Sequence, residues 1–195
     1  FLAMEPDLLL EYNVINDLCH WIMPRLSEEG GWRLRTLGRS RFVNQFLNGL
    51  LWPDDAEFAR ILDGTRMANL RMMVKAARAK GVPVAFASFA APDPDRLRRE
   101  ERDFMEWQIR TFWQGRQYGY RTYYRLVQLY NRMLRDYCAA ENLLYLPIGE
   151  KYTGDTRDFS DVCHMRPKGI EKKSDIFFQE LLAPITRMAG EKGAS

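Results

Sequence analysis

The strongest indication of the fold is Gly81-Val82-Pro83-Val84-Ala85-Phe86-Ala87-Ser88-Phe89, where an apolar run begins directly after a predicted helix end. Upstream, residues 54–80 place apolar side chains at helical spacing, with one break at Asp63-Gly64. Gly81 is expected to end this helix, since glycine adopts the left-handed conformation that closes many helices. A helix, a glycine and a buried strand in this order indicate a βα unit of a parallel sheet.

Two shorter apolar runs extend the predicted sheet. Residues 8–12, behind Pro6, predict a strand that is buried on both faces, and residues 143–147 predict a third strand. Helical spacing predicts further helices over residues 18–26, 33–51, 95–117, 123–141 and 170–188. In the last of these, we expect four apolar side chains to face the core: Ile176, Phe177, Leu181 and Leu182. The pattern as a whole predicts an α/β fold.

Length and composition are those of one water-soluble globular domain. The chain has 195 residues, of which 46% are hydrophobic and 28% charged. We expect one domain over residues 1–189 and a frayed tail over residues 190–195. The net charge of +3 is too small to indicate a nucleic-acid partner. No apolar run approaches the roughly 18 residues that span a bilayer, so we predict no transmembrane segment.

Three cysteines, Cys19, Cys138 and Cys163, are too few for a disulfide framework. An odd number favours reduced thiols. Cys19 and Cys138 are expected to be small buried hydrophobic residues.

A second stretch carries the candidate chemistry: Asp158-Phe159-Ser160-Asp161-Val162-Cys163-His164-Met165-Arg166-Pro167-Lys168-Gly169. Asp161 precedes His164 by three residues on a loop that enters a helix, so its carboxylate can reach the imidazole. Such a contact selects one tautomer and stabilises the imidazolium that forms when the other ring nitrogen accepts a proton. The alternative is an Asp that caps the helix beside a surface histidine. The second histidine, His20, has no acidic neighbour.

A polar pair, Asn16-Asp17, follows the first predicted strand. In open parallel sheets, ligands bind at the carboxyl ends of the strands. Asn16 is therefore a candidate site residue, or alternatively a cap of the helix that follows. Asp17 is interpreted as a structural hydrogen-bonding residue.

Together, the Asn16-Asp17 stretch and the Asp161–His164 stretch resemble the third and fifth consensus blocks of the SGNH (GDSL-type) hydrolase superfamily. The resemblance spans residues 6–182. It implies a three-layer, flavodoxin-like parallel sheet flanked by helices. It also implies hydrolysis of a small-molecule or glycan ester by a serine nucleophile, as in an esterase, lipase or acetyl esterase, without a cofactor or metal.

The resemblance assigns a role to each site residue. His164 matches the general base, Asp161 the residue that orients it, and Asn16 the side chain that donates to the oxyanion. One position departs from the family pattern: Val14 stands where the family usually has glycine. The bulky residue predicts a locally different backbone before Asn16.

The nucleophile is the missing part of the pattern. In the family, a Gly-Asp-Ser motif on the first strand lies upstream of the Asn-Asp block. No serine of this chain, namely Ser27, Ser40, Ser88, Ser160, Ser174 or Ser195, stands in such a motif. The segment Gly154-Asp155-Thr156 imitates the letters but follows no apolar run. We therefore expect the serine and the first strands to lie outside this chain. Residues 8–12 should then lie at or near a sheet edge, and the chain alone should be inactive.

Two alternatives accompany this interpretation. The chain could be a degenerate, non-catalytic α/β binding module. Asp161, Cys163 and His164 could be metal ligands, but three ligands within four residues rarely produce tetrahedral geometry, and no second cluster supplies a fourth. For the catalytic reading, we expect the Cys163 side chain to point away from the imidazole.

The Arg- and aromatic-rich segment 96–135 has two readings. Its aromatic side chains could stack on a glycan or line an anionic ligand site, with Trp107, Trp113, Tyr118 and Tyr120 as candidates. The simpler reading is amphipathic helices with the aromatic residues in the core.

Overall fold

The structure is a computed structural model that describes residues 5–18, 40, 54–112, 119–152 and 156–193. Several predictions lie outside these residues. They concern nearly all of the helices at 18–26 and 33–51, together with Cys19, His20, Trp113 and Tyr118.

Helices and strands alternate along the described chain. In order, they are β1 (Leu9–Glu11), α1 (Ile15–Asp17), α2 (Asp55–Leu62), a π-helical segment (Asp63–Met67), α3 (Ala68–Arg78), β2 (Val84–Ala87), α4 (Arg99–Phe112), α5 (Tyr120–Ala140), β3 (Leu144–Leu146), α6 (Ile148–Lys151), a 3₁₀ turn (Thr156–Asp158) and α7 (Pro167–Gly193). Helix α7 continues past residue 188 into the predicted tail.

The three strands form one parallel sheet in the order β1-β2-β3. Leu10 is level with Ala85, and Ala85 is level with Leu144. The prediction of an α/β fold with a parallel sheet is confirmed, although each strand is shorter than its apolar run.

The helix before β2 ends where the sequence predicts. Asp54 caps α2 by accepting a hydrogen bond from the Glu57 amide at 2.9 Å. At the predicted break, Asp63–Met67 forms a π-helical segment, and the helix continues as α3. Gly81 has φ of +68°, the left-handed conformation in which glycine is least strained.

Side chains of β2 alternate between two apolar clusters, one on each face of the sheet. Val84 and Phe86 belong to the larger cluster, which includes buried side chains of α2, α3 and α5. Ala85 and Ala87 belong to a smaller cluster against which residues of α7 pack. Helices therefore flank both faces of the sheet.

One predicted core position of α7 is wrong. Ile176, Phe177 and Leu181 pack against the sheet, but Leu182 is 52% exposed. At about 100° per residue, Leu182 points about 140° away from Phe177 around the helix. It therefore lies on the outer surface.

The prediction that the first strand is buried on both faces is also wrong. Leu10 of β1 is 39% exposed, whereas all four residues of β2 are buried. Within the described part of the chain, β1 pairs with β2 alone and so lies at the sheet edge. This position agrees with the expectation for residues 8–12.

The aromatic residues of α5 form part of the core. Tyr120, Tyr123 and Tyr130 are fully buried, and the Tyr120 hydroxyl donates to the Pro92 carbonyl at 2.6 Å. Tyr120 is therefore inaccessible for glycan stacking, contrary to that reading. Trp107 on α4 is half-exposed. Among the described residues, no helix combines the length and the apolar character that a bilayer crossing requires.

Candidate active site

The residues around His164 form a tight hairpin, here called hairpin 158–166. Phe159 and Met165 make an antiparallel bridge. The Ser160 amide donates to the His164 carbonyl at 2.9 Å, and the Arg166 amide donates to the Asp158 carbonyl at 2.8 Å. The turn of the hairpin therefore contains Asp161, Val162 and Cys163.

Asp161 closes this turn and holds the imidazole at the same time. Its Oδ1 accepts from the amides of Cys163 at 2.8 Å and His164 at 2.7 Å. Its Oδ2 lies 2.6 Å from His164 Nδ1. The predicted contact between carboxylate and imidazole is confirmed. Because a carboxylate only accepts, Nδ1 carries the proton in this hydrogen bond and Nε2 of the neutral ring is an acceptor.

Exposure and charge suit a base that reacts with an external group. The side chain of His164 is 69% exposed and that of Asp161 is 24% exposed. Partial burial alone would raise the pKa of Asp161, but the two amides and the imidazole lower it below its ordinary value. Asp161 is therefore ionised throughout the neutral range.

Helices α4 and α5 anchor the turn at its buried centre, Val162. The Val162 amide donates to the Gln108 side chain at 3.2 Å, and the Tyr123 hydroxyl donates to the Val162 carbonyl at 3.3 Å. The Val162 side chain is fully buried. The half-buried Asp161 and the exposed His164 thus lie on either side of a residue that belongs to the core.

Helix α7 holds the base of the hairpin. Lys172 forms an ion pair with the buried Asp158 at 2.6 Å. Gly169, in the first turn of α7, permits close approach, because a Cβ atom at this position would overlap the Asp158 carbonyl oxygen. This contact gives a physical reason for the glycine in the quoted motif.

Tyr12 joins the end of β1 to the beginning of α7. Its ring lies 5.3 Å from that of Phe89, which follows β2, and 5.3 Å from that of Phe177 on α7. The Lys173 amine lies 4.9 Å from the centre of the same ring. The helix that follows His164 therefore packs against the carboxyl end of the sheet.

Asn16 lies within α1 and is exposed. Among the described residues, it makes no hydrogen bond to Asp161 or His164. Its role as an oxyanion donor remains a prediction. Val14, the N-cap of α1, has φ of −145°, so this backbone does not require glycine, and the valine side chain is buried in the core.

The sequence analysis missed Arg66, which organises the segment around Asn16. From the π-helical segment, its guanidinium contacts the Glu11 carboxylate and the Asn13 carbonyl, and lies 2.8 Å from the Asp17 carboxylate. The guanidinium carbon lies 5.9 Å from the centre of the Tyr130 ring. Arg66 thus binds residues on both sides of Asn16. The interpretation of Asp17 as structural is confirmed.

Burial governs the charges of this network. It raises the pKa of Glu11 above its ordinary value, although the neighbouring guanidinium opposes that shift. In the sequence, the signal that could have pointed to Arg66 was the predicted helix break at Asp63-Gly64. A break in a helical pattern can mark a π-helical insertion, and such insertions often occur near functional sites.

Two described serines have structural partners. Ser88, at the carboxyl end of β2, is fully buried, contacts the Glu150 carboxylate and accepts from the Gly149 amide at 2.8 Å. The Ser160 hydroxyl donates to the His164 carbonyl at 3.2 Å. Ser27, Ser195 and the Gly154-Asp155 pair lie outside the described residues.

Two concave regions differ in their position relative to the hairpin. A groove of about 330 Å³ lies beside it and is lined in part by Arg98, Arg157, Arg166, Phe104 and Phe159. A second cavity, of about 390 Å³, is lined in part by residues at the amino ends of the strands. It therefore lies at the opposite end of the strands from the predicted site.

Both described cysteines, Cys138 and Cys163, are thiols. Cys138 is buried, as predicted, and burial raises its pKa to about 12. The Cys163 sulfur lies 3.5 Å from His164 Nδ1, so the expectation that this side chain points away from the imidazole is wrong. The short turn brings both the thiol and the carboxylate of Asp161 to the same ring nitrogen.

Comparisons with protein-family models, with curated proteins and with solved structures find no match to this chain. The resemblance to SGNH hydrolases therefore depends on the quoted residues alone.

Proposed function

We propose that this chain carries the base half of an SGNH-type serine ester hydrolase. The observation that carries the proposal is the 2.6 Å contact between Asp161 Oδ2 and His164 Nδ1 on an exposed imidazole. A parallel sheet whose carboxyl end packs against the following helix supports it. The proposed complete fold is the three-layer, flavodoxin-like sheet of that superfamily, with its first strands beside β1.

In the proposed reaction, a serine outside residues 1–195 attacks the ester carbonyl. Its hydroxyl proton moves to Nε2 of His164 while the new C–O bond forms, and the Asn16 amide donates to the oxyanion. The imidazolium then protonates the leaving alcohol. Water repeats the two steps and releases the acid. Asp161 stays ionised and stabilises the imidazolium.

The substrate proposed is a small-molecule or glycan ester. The groove beside hairpin 158–166 contributes three guanidinium groups, the carboxylates of Glu100 and Glu101 and the exposed Phe104, a mixture that would suit a polar acyl or alcohol part. No cofactor is needed, since the serine, histidine and aspartate supply the nucleophile and the proton transfers.

The test uses the polypeptide that includes the coding sequence upstream of Phe1. His164→Ala should reduce turnover of a small acyl ester by about 10⁴- to 10⁶-fold. Asn16→Ala should reduce kcat about 10²-fold or more, as loss of one oxyanion donor does. Near-normal turnover by His164→Ala would refute the proposal.

A serine-directed fluorophosphonate tests where the nucleophile lies. The longer polypeptide should label on a serine upstream of Phe1, and residues 1–195 alone should not label. Stoichiometric labelling of a serine within residues 1–195 would contradict the proposed location of the nucleophile.

The second candidate is a non-catalytic α/β binding module. It is favoured by Ser88, the serine at the carboxyl end of β2, being buried and bonded to Gly149. Under this alternative, the longer polypeptide would neither label nor hydrolyse esters, and the groove beside the hairpin would be its ligand site.

A further inference from the structure

Hairpin 158–166 brings three metal-binding atoms together. Among the described residues, ligand atoms of Asp161, Cys163 and His164 all lie within 4.8 Å of one another. From the sequence, a metal site is not expected, because three ligands within four residues rarely produce tetrahedral geometry. Here the turn closed by the Asp161 carboxylate makes them converge on one side of the imidazole.

The distances approach those of a tetrahedral site. With a Zn–S bond of about 2.3 Å and a Zn–N bond of about 2.0–2.1 Å, tetrahedral ligand atoms lie about 3.5 Å apart. The Cys163 sulfur lies 3.5 Å from His164 Nδ1. The Asp161 carboxylate, 2.6 Å from Nδ1, would need to move back by less than about 1 Å.

The ligand types select the metal class. One thiolate, one imidazole and one carboxylate suit zinc-class ions, whereas magnesium and calcium prefer oxygen ligands alone. Because the imidazole is largely exposed, water can complete the coordination. We propose that Asp161, Cys163 and His164 form a binding site for a thiophilic divalent cation of the zinc class.

Occupancy of this site would switch off the base, a consequence that rests on the proposed function. The metal takes the Nδ1 lone pair, so the proton of the neutral imidazole resides on Nε2, which can no longer accept one from a serine. The Cys163 thiol loses its proton to solvent as the sulfur–metal bond forms. Zinc should therefore inhibit ester hydrolysis and release about one proton for each ion bound.

Co²⁺ provides a test of binding that needs no enzymatic activity. Titration of the 195-residue chain should give a thiolate-to-cobalt absorption band that saturates at one equivalent and disappears when Zn²⁺ is added. Cys163→Ser should abolish the band and weaken binding about tenfold or more. Ser160→Ala, on the same hairpin but outside the ligand set, should retain both.

Three results of the binding test would overturn the proposal. They are the absence of a saturable band, an equal band in Cys163→Ser, and a zinc complex that elutes in gel filtration as two chains bridged by the metal. Circular dichroism of both variants confirms that they are folded.

Turnover of the longer polypeptide tests the coupling to catalysis. The ratio of turnover without zinc to turnover with zinc should be large for the wild type, return to one with a chelator, and fall at least about tenfold in Cys163→Ser. If cobalt binds at Cys163 but the wild type hydrolyses no ester, the proposed function fails and the metal site stands. If the wild type is active and zinc binds without inhibition, the coupling is wrong.

Discussion

The two halves of the candidate site are hairpin 158–166 and segment 11–17. A local contact at the surface holds the first, and a buried contact between distant residues holds the second. In the hairpin, an exposed imidazole contacts an Asp three residues away. In segment 11–17, the ion pair of Glu11 with Arg66 joins residues 55 positions apart, and the two side chains are only 14% and 10% exposed.

The two contacts should contribute differently to the stability of the fold. An ion pair near the surface contributes about 0–1 kcal/mol to folding, so the Asp161–His164 contact orients a ring without stabilising the fold much. Removal of one partner from a buried pair leaves an uncompensated charge and costs about 3–5 kcal/mol. Substitutions in the hairpin should therefore affect chemistry, and substitutions around Arg66 should affect folding.

The largest expected effect is that of Asp161→Asn in the longer polypeptide. The amide cannot hold the imidazole in the tautomer that leaves Nε2 unprotonated, so kcat should fall about 10⁴-fold. Steady-state kinetics measure this change, and urea unfolding should show at most about 1–2 kcal/mol lost. A loss of stability large enough to unfold the chain would mean that the hairpin and segment 11–17 are not held differently.

Arg66→Met removes the contacts that hold segment 11–17. We expect the free energy of unfolding of the 195-residue chain to fall by about 3–5 kcal/mol, because Glu11 and Asp17 lose their shared cation. Urea denaturation measures the change. The control is Arg71→Met, since Arg71 lies one turn further along the same helical run and its pair with Asp63 is about half exposed. That control should lower the free energy of unfolding by less than about 1 kcal/mol. Equal losses in the two variants would contradict a stabilising buried contact of Arg66 with Glu11 and Asp17.

Gly169→Ala disturbs the hairpin from α7 without removing a polar group. The new methyl group would overlap the Asp158 carbonyl, so we expect about 1–3 kcal/mol of destabilisation. On the same helix, Gly190 has open space around its Cα. Gly190→Ala should be neutral or stabilise by up to about 1 kcal/mol. Equal effects of the two substitutions in thermal unfolding would disprove the close approach.

The smallest effect is a difference in pH dependence between two carboxylates. The pKa of Asp161 is lowered, so its contribution to folding is present above the ordinary value of about 4 and is lost as the pH falls below it. The pKa of Glu11 is raised, so its ionisation reduces stability as the pH rises above about 4.

Urea unfolding at several pH values compares the wild type with Asp161→Asn and with Glu11→Gln. As the pH rises, the stability of the wild type relative to Asp161→Asn should increase below about pH 4. Its stability relative to Glu11→Gln should decrease above that pH. Parallel slopes would show that burial does not distinguish the two regions.

Much of the fold followed from local patterns. Helical spacing over residues 54–80 and the left-handed Gly81 correctly predicted the helix, its end and the strand that follows. The errors concerned burial. Leu10 and Leu182 have the composition of core residues, yet their exposure depends on which neighbours the fold supplies.

The contact between Asp161 and His164 could be predicted from the sequence, because a separation of three residues at a turn brings the carboxylate within reach of the imidazole. The parallel sheet could also be predicted, from the alternation of helices and apolar runs. The Asp161–His164 contact and the helices depend on residues that are close along the chain, whereas the sheet itself pairs distant residues such as Leu9 and Val84.

The partners of Arg66 and the burial of Ser88 depend instead on how the folded chain packs. An arginine in a helical run reads as a surface residue, and nothing local shows that Glu11 and Asp17 will meet it. Such contacts join distant parts of the chain, and they exist because the packing of helices on the sheet leaves buried charges no water to bind.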